Sequence, residues 1–567
     1  MIKIRIAGPP GTGKTTKLVE IYYKHLVEKY SPTDMIVISH TNTAADHIRS
    51  KIYDDESIDD FQKKTGHEIF HLVKQSKASL EENVTTVHKF CKNRIKGKAF
   101  LIEDYDILKT LYPMFDKYTS NKKFNSVQGL FAAHPFFKFK SYAKDNGREV
   151  LDYYRSLTFE EKEDYQYTAE ELIKMQEYYI KFKANEKING RTTKIIDFQD
   201  MVEDFYNNKE ESEKLCKDIK ILIVDEAQDS SVIQRKAEEV MSKNVDYFYK
   251  AGDPDQSIFE FAGADPDSFH KEFANPETEL EDGYRCPRVI NEYCKKIIQD
   301  IWREYNYTRV WKPREELDEN GNRTGVVVEG EMYYLSDLAQ DPFASELKNR
   351  ILNTDENFMF TYRGGEPRDM INYIMQIGIP VKIPDKEKSK FKFKYPTSDV
   401  KNQREFLGFS KGEHKSLTKI KAMFKGMDPQ YQLKTIEQLE AADSGSYDLK
   451  WLIDKGFVVP GVKNIDDFQK ISKVPTIQMK NYIREIVNNN RDLEKKRVFL
   501  ENIHTIKGKE FDNVVFDFKL TRQEKPFSKK RMKFVACSRA RKTLWLLKST
   551  TNLTFAGKED TYEQSLG

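Results

Sequence analysis

The sequence predicts an α/β protein of two lobes with parallel sheets, each lobe interrupted by a mostly helical insertion. Three observations predict it. Unbroken apolar runs flanked by charge, such as residues 219–224, recur along the chain, which is how strands covered on both faces read. The opening alternation Ile2-Lys3-Ile4-Arg5-Ile6 enters a glycine-rich loop and then a helical repeat of Leu18, Ile21, Tyr22, His25, Leu26 and Lys29. The apolar-strand signature then lapses twice, over about 93–190 and 386–490, in favour of polar, mostly helical sequence. The expected segments are 1–92 and 191–285 for the first lobe, around the insertion at 93–190. The second lobe takes 286–385 and 491–567, around the insertion at 386–490.

The loop after the first strand, Gly8-Pro9-Pro10-Gly11-Thr12-Gly13-Lys14-Thr15, is a full G-x-x-x-x-G-K-[ST] phosphate-binding pattern, with Thr16 continuing into the helix. Its glycines let backbone N–H groups curl round phosphate oxygens, and the helix N-terminus adds partial positive charge. Lys14 is placed for the β- and γ-phosphates and Thr15 for Mg²⁺. A second buried strand is expected at 35–39, and a helix opens near Ala44. In the first insertion Leu108, Leu111 and Phe115 keep helical spacing. Phe136-Phe137-Lys138-Phe139-Lys140 and Lys390-Phe391-Lys392-Phe393-Lys394-Tyr395 alternate aromatic and basic residues. Each reads first as a strand with one wet face and second as a nucleic-acid contact. Further strands are expected at 245–250, 358–361, 379–383, 498–503, 514–518 and 544–547, and Pro287 breaks the chain after Tyr284-Arg285-Cys286.

Val224-Asp225-Glu226-Ala227-Gln228-Asp229 closes the buried strand at 219–224. Asp225 is placed to hold Mg²⁺ and Glu226 to polarise an attacking water. After a complete phosphate loop, this second motif points to hydrolysis of a nucleoside triphosphate.

The bulk numbers set bounds. At about 150 residues per domain, 567 residues make three or four domains. With a net charge of only +3, any nucleic-acid site must be a local groove. The five cysteines form no C-x-x-C pair, which argues against zinc or iron–sulfur and for a reducing compartment. No apolar run reaches the roughly 18 residues that span a bilayer. The chain opens directly on strand and phosphate loop, so no signal peptide is expected.

From here a resemblance becomes specific. The Asp-Glu-Ala-Gln-Asp run, followed by Gly252-Asp253-Pro254-Asp255-Gln256-Ser257-Ile258-Phe259, is similar to superfamily 1 helicases of the UvrD/Rep/PcrA type. The likeness continues in order through Ser39-His40-Thr41-Asn42-Thr43-Ala44-Ala45, Thr86-Val87-His88-Lys89-Phe90 and Asp197-Phe198-Gln199-Asp200-Met201. It ends with Tyr284-Arg285-Cys286-Pro287, His504-Thr505-Ile506-Lys507-Gly508-Lys509-Glu510-Phe511 and Val535-Ala536-Cys537-Ser538-Arg539-Ala540. The resemblance implies two RecA-like P-loop NTPase lobes that hydrolyse ATP with Mg²⁺. Arg285 and Arg539 would come from the second lobe's side to touch the γ-phosphate, which Gln256 would sense. Tyr284 would stack on adenine, and Gly508 and Glu510 would meet the nucleotide, Glu510 at the ribose. His40, Thr41, Asn42, Thr86, His88 and His504 would contact single-stranded DNA, and Phe259 and Phe261 would stack on its bases.

Two departures stand out. Only seven residues precede Gly8, so the family's upstream glutamine motif for the adenine edge has no place in its usual position, which leaves other triphosphates open. Ala262 and Thr43 stand where relatives carry arginine and lysine. The expectation is an ATP-dependent DNA helicase or translocase, moving 3′→5′ on single strands and at single-/double-strand junctions. It would act as a cytoplasmic, nucleoid-associated monomer beside repair, recombination or replication partners, in a cell or a virus-infected host, and away from membranes. The alternatives are a translocase that does not unwind, a nuclease-coupled or partner-loaded component of a larger complex, an RNA-directed motor and a small-molecule NTPase. The last leaves Gln256, Arg285, His504 and Arg539 without a task.

Overall fold

The computed structural model describes residues 1–547 apart from 29, 76, 95–98, 102–134, 158–161, 163–167, 186, 189–190, 193, 261–262, 272–275, 320, 337, 339–340, 364–366, 384–396, 429–437, 439–444, 459–460, 475, 493–494, 496 and 518–525. The expected helix through Leu108, Leu111 and Phe115, the alternation Lys390–Tyr395, and residues Phe261 and Ala262 lie outside the described residues. The chain forms two compact units. The first comprises Met1–Cys286, Asn291–Val328 and Lys525–Val535, and the second Pro287–Ile290, Glu329–Glu524 and the chain from Ala536.

The first unit is built on a six-stranded sheet. Its strands are β1 (Ile2–Ala7), β2 (Met35–Ser39), β3 (Val84–Thr86), β4 (Ile221–Val224), β5 (Tyr247–Gly252) and β6 (Pro276–Glu279), in the order β6-β1-β5-β4-β2-β3. Every pair is parallel. Parallel neighbours need a crossover, and helices supply it on both faces. This is why β2 and β4 are buried along their whole length and carry almost nothing but Met, Ile, Leu and Val. The helices that position the site are α1 (Lys14–Val27), α2 (Asn42–Tyr53), α3 (Val87–Arg94), α4 (Pro135–Asp145), α5 (Phe198–Asn207) and α6 (Val232–Met241). Leu18, Val19, Tyr22, Tyr23 and Leu26 put one face of α1 into the core with Ile6, Val37 and Ile223. Val202, Phe205, Ala237 and Val240 cover the opposite face of the sheet with Leu222 and Val224. Because the strands run the same way, the loops after β1, β2, β4 and β5 all emerge at one edge, where parallel α/β sheets bind ligands.

The run Phe136–Lys140 is helix α4, not a strand with a wet face. Pro135 opens it, a residue well suited to the first helical turn. Phe136, Phe139 and Lys140 then fall on one side at i, i+3 and i+4, and all three are buried. Phe136 and Phe137 meet Tyr179 edge to face, with centroids 6.3 and 5.3 Å apart. The Lys140 ammonium lies 2.6 Å from the Asp197 carboxylate. These rings fill a core, and the nucleic-acid reading of the cluster is withdrawn.

Helix α7 (Arg288–Glu304) starts after Pro287, and α8 (Pro526–Cys537) lies near the end of the chain. The second unit has its own six-stranded parallel sheet. Its strands are β7 (Glu331–Leu335), β8 (Phe358–Tyr362), β9 (Val381–Lys382), β10 (Val498–Asn502), β11 (Phe511–Asp517) and β12 (Ala540–Leu547), ordered β7-β12-β11-β8-β10-β9. Trp545 is fully buried and stacks on Tyr333 of β7 at 4.3 Å. A separate apolar cluster of Phe406, Phe409, Met423, Leu452 and Phe468 gives the second insertion a core of its own.

Candidate nucleotide and nucleic-acid site

The loop between β1 and α1 is shaped by two left-handed glycines, Gly11 at φ 72° and Gly13 at φ 83°. Gly11 also leaves no room for a side chain, since a Cβ there would come within 2.5 Å of the Cβ of Arg285. The Tyr284 N–H donates to Gly11 O at 2.8 Å, so the Tyr284-Arg285 turn is fastened to the phosphate loop. The Lys14 ammonium donates to Gly8 O at 2.7 Å and Pro9 O at 3.2 Å, and Thr12 Oγ1 donates to Pro9 O at 2.9 Å. Burial pulls the Lys14 ammonium below its ordinary range, while Asp253, Glu226 and Asp225 pull the other way. Thr15 is half-buried, and exposed Thr16 accepts from Lys51 Nζ at 2.5 Å.

At the end of β4, Asp225 is buried and its Oδ1 accepts the Glu226 N–H at 3.0 Å. Glu226 has φ 55° and ψ 36°, a left-handed backbone that an ordinary side chain resists at a cost of roughly 1–3 kcal/mol. Gln228, fully buried, holds this turn. Its Nε2 donates to Glu226 Oε2 at 2.5 Å, and its Oε1 accepts the Asp253 N–H at 2.8 Å. Gly252 is required here, because a Cβ would lie 2.4 Å from Gln228 Oε1. Gln256 Nε2 in turn donates to Asp253 Oδ2 at 2.6 Å. The loops after β4 and β5 are therefore one hydrogen-bonded unit carrying Asp225, Glu226, Asp253 and Gln256.

That unit holds two buried carboxylates close together, Asp253 and Asp255. Arg309 answers both, with Nη1 2.5 Å from Asp253 Oδ1 and 2.9 Å from Asp255 Oδ2. Trp302 Nε1 and the Tyr307 hydroxyl donate to Asp255 at 2.9 and 2.8 Å. Burial and the neighbouring Asp253 charge raise the Asp255 carboxyl, and Arg309 works against them. For Arg309, burial lowers and the two aspartates raise, and the aspartates prevail.

Tyr284 stays 50% exposed, and the Arg323 guanidinium lies 5.8 Å from its ring centroid. Arg323 is steadied by Asp282 at 2.5 Å and Glu315 at 2.6 Å. The ring therefore stays half-exposed beside a fixed cation. Arg285 belongs to the first unit, against Gly11, rather than to the second lobe's side as the resemblance implied. For Mg²⁺, Thr15 in the first turn of α1 and Asp225 after β4 supply hard oxygen donors, the kind that ion takes, at the same edge of the sheet.

In the second unit, Gly508, Glu510 and Arg539 gather at the amino-terminal edge of the sheet, just before β11 and β12. The Phe511 N–H donates to Arg539 O at 3.0 Å. Arg539 is buried and its Nη2 donates to Ser538 Oγ at 3.2 Å, while Glu510 pairs with Arg541 at 3.1 Å. His504 follows β10, with Nδ1 3.0 Å from Asn502 Oδ1.

Those expected nucleic-acid contacts that are described and belong to the first unit lie along the carboxyl edge of its sheet. Nε2 of half-buried His40 is 3.2 Å from Ser230 Oγ, which donates to Glu238 at 2.7 Å, and Lys250 closes that network at 2.9 Å from Glu238. Thr41 caps α2 by accepting the Ala44 N–H at 3.1 Å, and Thr41 and Asn42 are exposed. Thr86 is buried at the start of α3. Burial pushes the His88 imidazole down to about 4, which keeps it neutral near pH 7. Its ring meets Phe198 edge to face at 6.1 Å, and Phe198 is 43% exposed. Phe259 is half-buried, three residues beyond Gln256.

Comparison with known proteins places the chain in a family. The UvrD/REP helicase N-terminal domain matches residues 3–276, and the UvrD-like helicase C-terminal domain matches residues 497–547. The chain belongs to the UvrD/Rep helicase family. It is 22% identical over 566 residues to the ATP-dependent DNA helicase Rep of Buchnera aphidicola subsp. Acyrthosiphon pisum, covering 90% of this chain and 78% of that protein. It is 21% identical over 311 residues to a probable DNA helicase II homolog of Mycoplasma pneumoniae, covering 52% of this chain and 40% of the relative. A segment of 103 residues is 28% identical to part of an ATP-dependent helicase/nuclease of Oceanobacillus iheyensis, covering 18% of this chain and 8% of that one. The chain thus spans less than half the length of two of these three relatives.

Within this UvrD/Rep-family chain, sequence reasoning missed Gln228, Arg309 and Phe198. Gln228 and Phe198 stood inside motifs already picked out, so a question about who orients Glu226 and who flanks His88 would have found them. Arg309 lies 54 and 56 residues from its partners, with no local pattern to betray it.

Proposed function

We propose that the chain is an ATP-dependent motor that moves 3′→5′ along single-stranded DNA and separates duplex ahead of it. One observation supports this reading above the others. The phosphate loop, the Asp225-Glu226 turn and Gln256 stand at one edge of one sheet, tied by Gln228 and Asp253, with Arg285 packed against Gly11. Lys14 takes the β- and γ-phosphates, and Thr15 and Asp225 are the residues that would hold Mg²⁺, which neutralises phosphate charge when bound. Glu226 polarises the attacking water, held ready by the Gln228 amide. Gln256 reads the γ-phosphate, and Tyr284 takes the base, with Gly508 and Glu510 as further nucleotide contacts.

Arg285 and Arg539 act on the charge that spreads over the transferring phosphoryl group, a service typically worth roughly 10³–10⁵ in rate per positioned arginine. Phe259 stacks on bases of the single strand, at ~1–3 kcal/mol per base, beside Phe261, His40 and His88. Opening duplex must overcome stacking of about 1.4 kcal/mol per base-pair step, within reach of a coupled hydrolysis cycle. The domains follow the same division, two motor lobes each carrying an insertion.

The test is strand displacement with ATP and Mg²⁺ on duplexes bearing a 3′ or a 5′ single-stranded tail. Displacement confined to the 3′-tailed substrate, and absent in Lys14→Ala, is expected. Displacement confined to the 5′-tailed substrate removes the polarity. ATP hydrolysis that single strands stimulate, with no displacement on either substrate, leaves a translocase that does not unwind.

A further inference from the structure

Glu260 follows Phe259 directly, and its carboxylate reaches across 268 and 271 residues of sequence to α8. It accepts from Ser528 Oγ at 2.8 Å and from Arg531 Nη1 at 2.5 Å. Arg531 is 3% exposed and Glu260 is half-buried, so the pair is largely shielded from water. The same stretch of α8 is held by Lys530 on Asp300 and by Phe534 edge-on to Trp311 at 5.8 Å. Residues 525–535 accordingly belong to the first unit. The helix then continues unbroken to Cys537, and Ser538-Arg539 follow at once.

We infer that Glu260 is a positioning residue that links DNA occupancy at Phe259 to the placement of Arg539. The inference rests on the motor reading above. A base stacking on Phe259 shifts the backbone of the next residue. Glu260 is clamped to two side chains of α8 and cannot move without them. From Arg531 to Arg539 is about 12 Å at 1.5 Å per residue, most of it along one rigid helix, so displacement at one end arrives at the other. A surface pair on flexible side chains would dissipate such a shift; a desolvated arginine with two neighbouring anchors does not. The sequence stretch that meets the strand and the one that meets the phosphate would then be joined by a single carboxylate.

The experiment compares ATP turnover with and without saturating oligo(dT), together with the KM for ATP, oligo(dT) affinity by fluorescence anisotropy, and the melting temperature. In Glu260→Gln, basal turnover, KM and DNA affinity should stay at wild-type values. The stimulation by DNA should fall about tenfold, inside the ~5–150-fold span of couplings between sites. The charge swap Glu260→Arg with Arg531→Glu should restore it. Because Glu260→Gln strips a buried arginine of its carboxylate, Ser528→Ala serves as the variant that removes one hydrogen bond and no charge, with a smaller loss of stimulation expected. Full stimulation in both single variants overturns the coupling, and so does a fall in basal and stimulated rates by the same factor. A wild-type protein that hydrolyses ATP equally fast with and without oligo(dT) overturns the motor reading and the coupling together, which sets that failure apart from the other two.

Discussion

Glu226, the proposed base, is the clearest case at the scale of one residue. Its backbone is left-handed, and the Gln228 amide donates to one of its carboxylate oxygens, Oε2. Glu226→Gln keeps the size and the hydrogen-bonding reach but not the basicity. ATP turnover should therefore vanish while a fluorescent ATP analogue still binds with wild-type affinity; retained DNA-stimulated turnover would reject Glu226 as the base. Asp145, at the end of α4, makes a different kind of case. Burial raises its carboxyl to about 7, with Ser141 and Lys140 opposing. Folding thus favours the protonated form, so the stabilising contribution is complete below about pH 4 and is lost as pH rises through about 7. Asp145→Asn removes that loss and keeps an acceptor for the Ser141 hydroxyl. Its melting temperature should exceed wild type by more at pH 8 than at pH 5, and a constant difference would contradict the assignment.

At the scale of elements, the two sheets were legible because a parallel strand buried on both faces leaves an unbroken apolar run, as β2 and β4 do. β6 was not, since Pro276-Glu277-Thr278-Glu279 is an edge strand without that signature. Nor was α4, where alternating Phe and Lys satisfied a strand period over four residues and a helical one over eleven. The phosphate-loop pattern and the Asp225-Glu226 run could be picked out because their residues are neighbours in sequence, whereas Arg309 could not, because only the folded chain brings it to Asp253 and Asp255. Its removal should be felt accordingly. Arg309→Met leaves two buried aspartates without their cation, and taking one partner from a buried pair costs about 3–5 kcal/mol. Adding Asp255→Asn to Arg309→Met removes the repulsion and should recover a good part of that loss. Denaturant unfolding of the single and double variants measures both, and equal stabilities for the two would show that Asp255 is not the group Arg309 neutralises.

For the molecule as a whole, the division of labour between the units is itself testable. Ground-state contacts to the phosphates are proposed for the first unit, through Lys14 and the loop glycines, with Tyr284 at the base and Gly508 and Glu510 as further nucleotide contacts. Arg539, at the amino edge of the second sheet, is assigned only to the charge that develops during transfer. Binding that touches the folded state alone stabilises by about 2.7 kcal/mol at a hundredfold excess over Kd. Each unit has a sheet and core of its own, so a calorimetric scan should resolve two transitions, of which a non-hydrolysable ATP analogue with Mg²⁺ moves the first unit's upward. Lys14→Ala should abolish the shift. Arg539→Ala should keep it in full while turnover falls by about 10³, since an interaction made only in the transition state leaves ground-state affinity untouched. An Arg539→Ala protein that loses the thermal shift along with its turnover would mean that this arginine grips the nucleotide before the reaction begins, and the two-stage assignment would have to be given up.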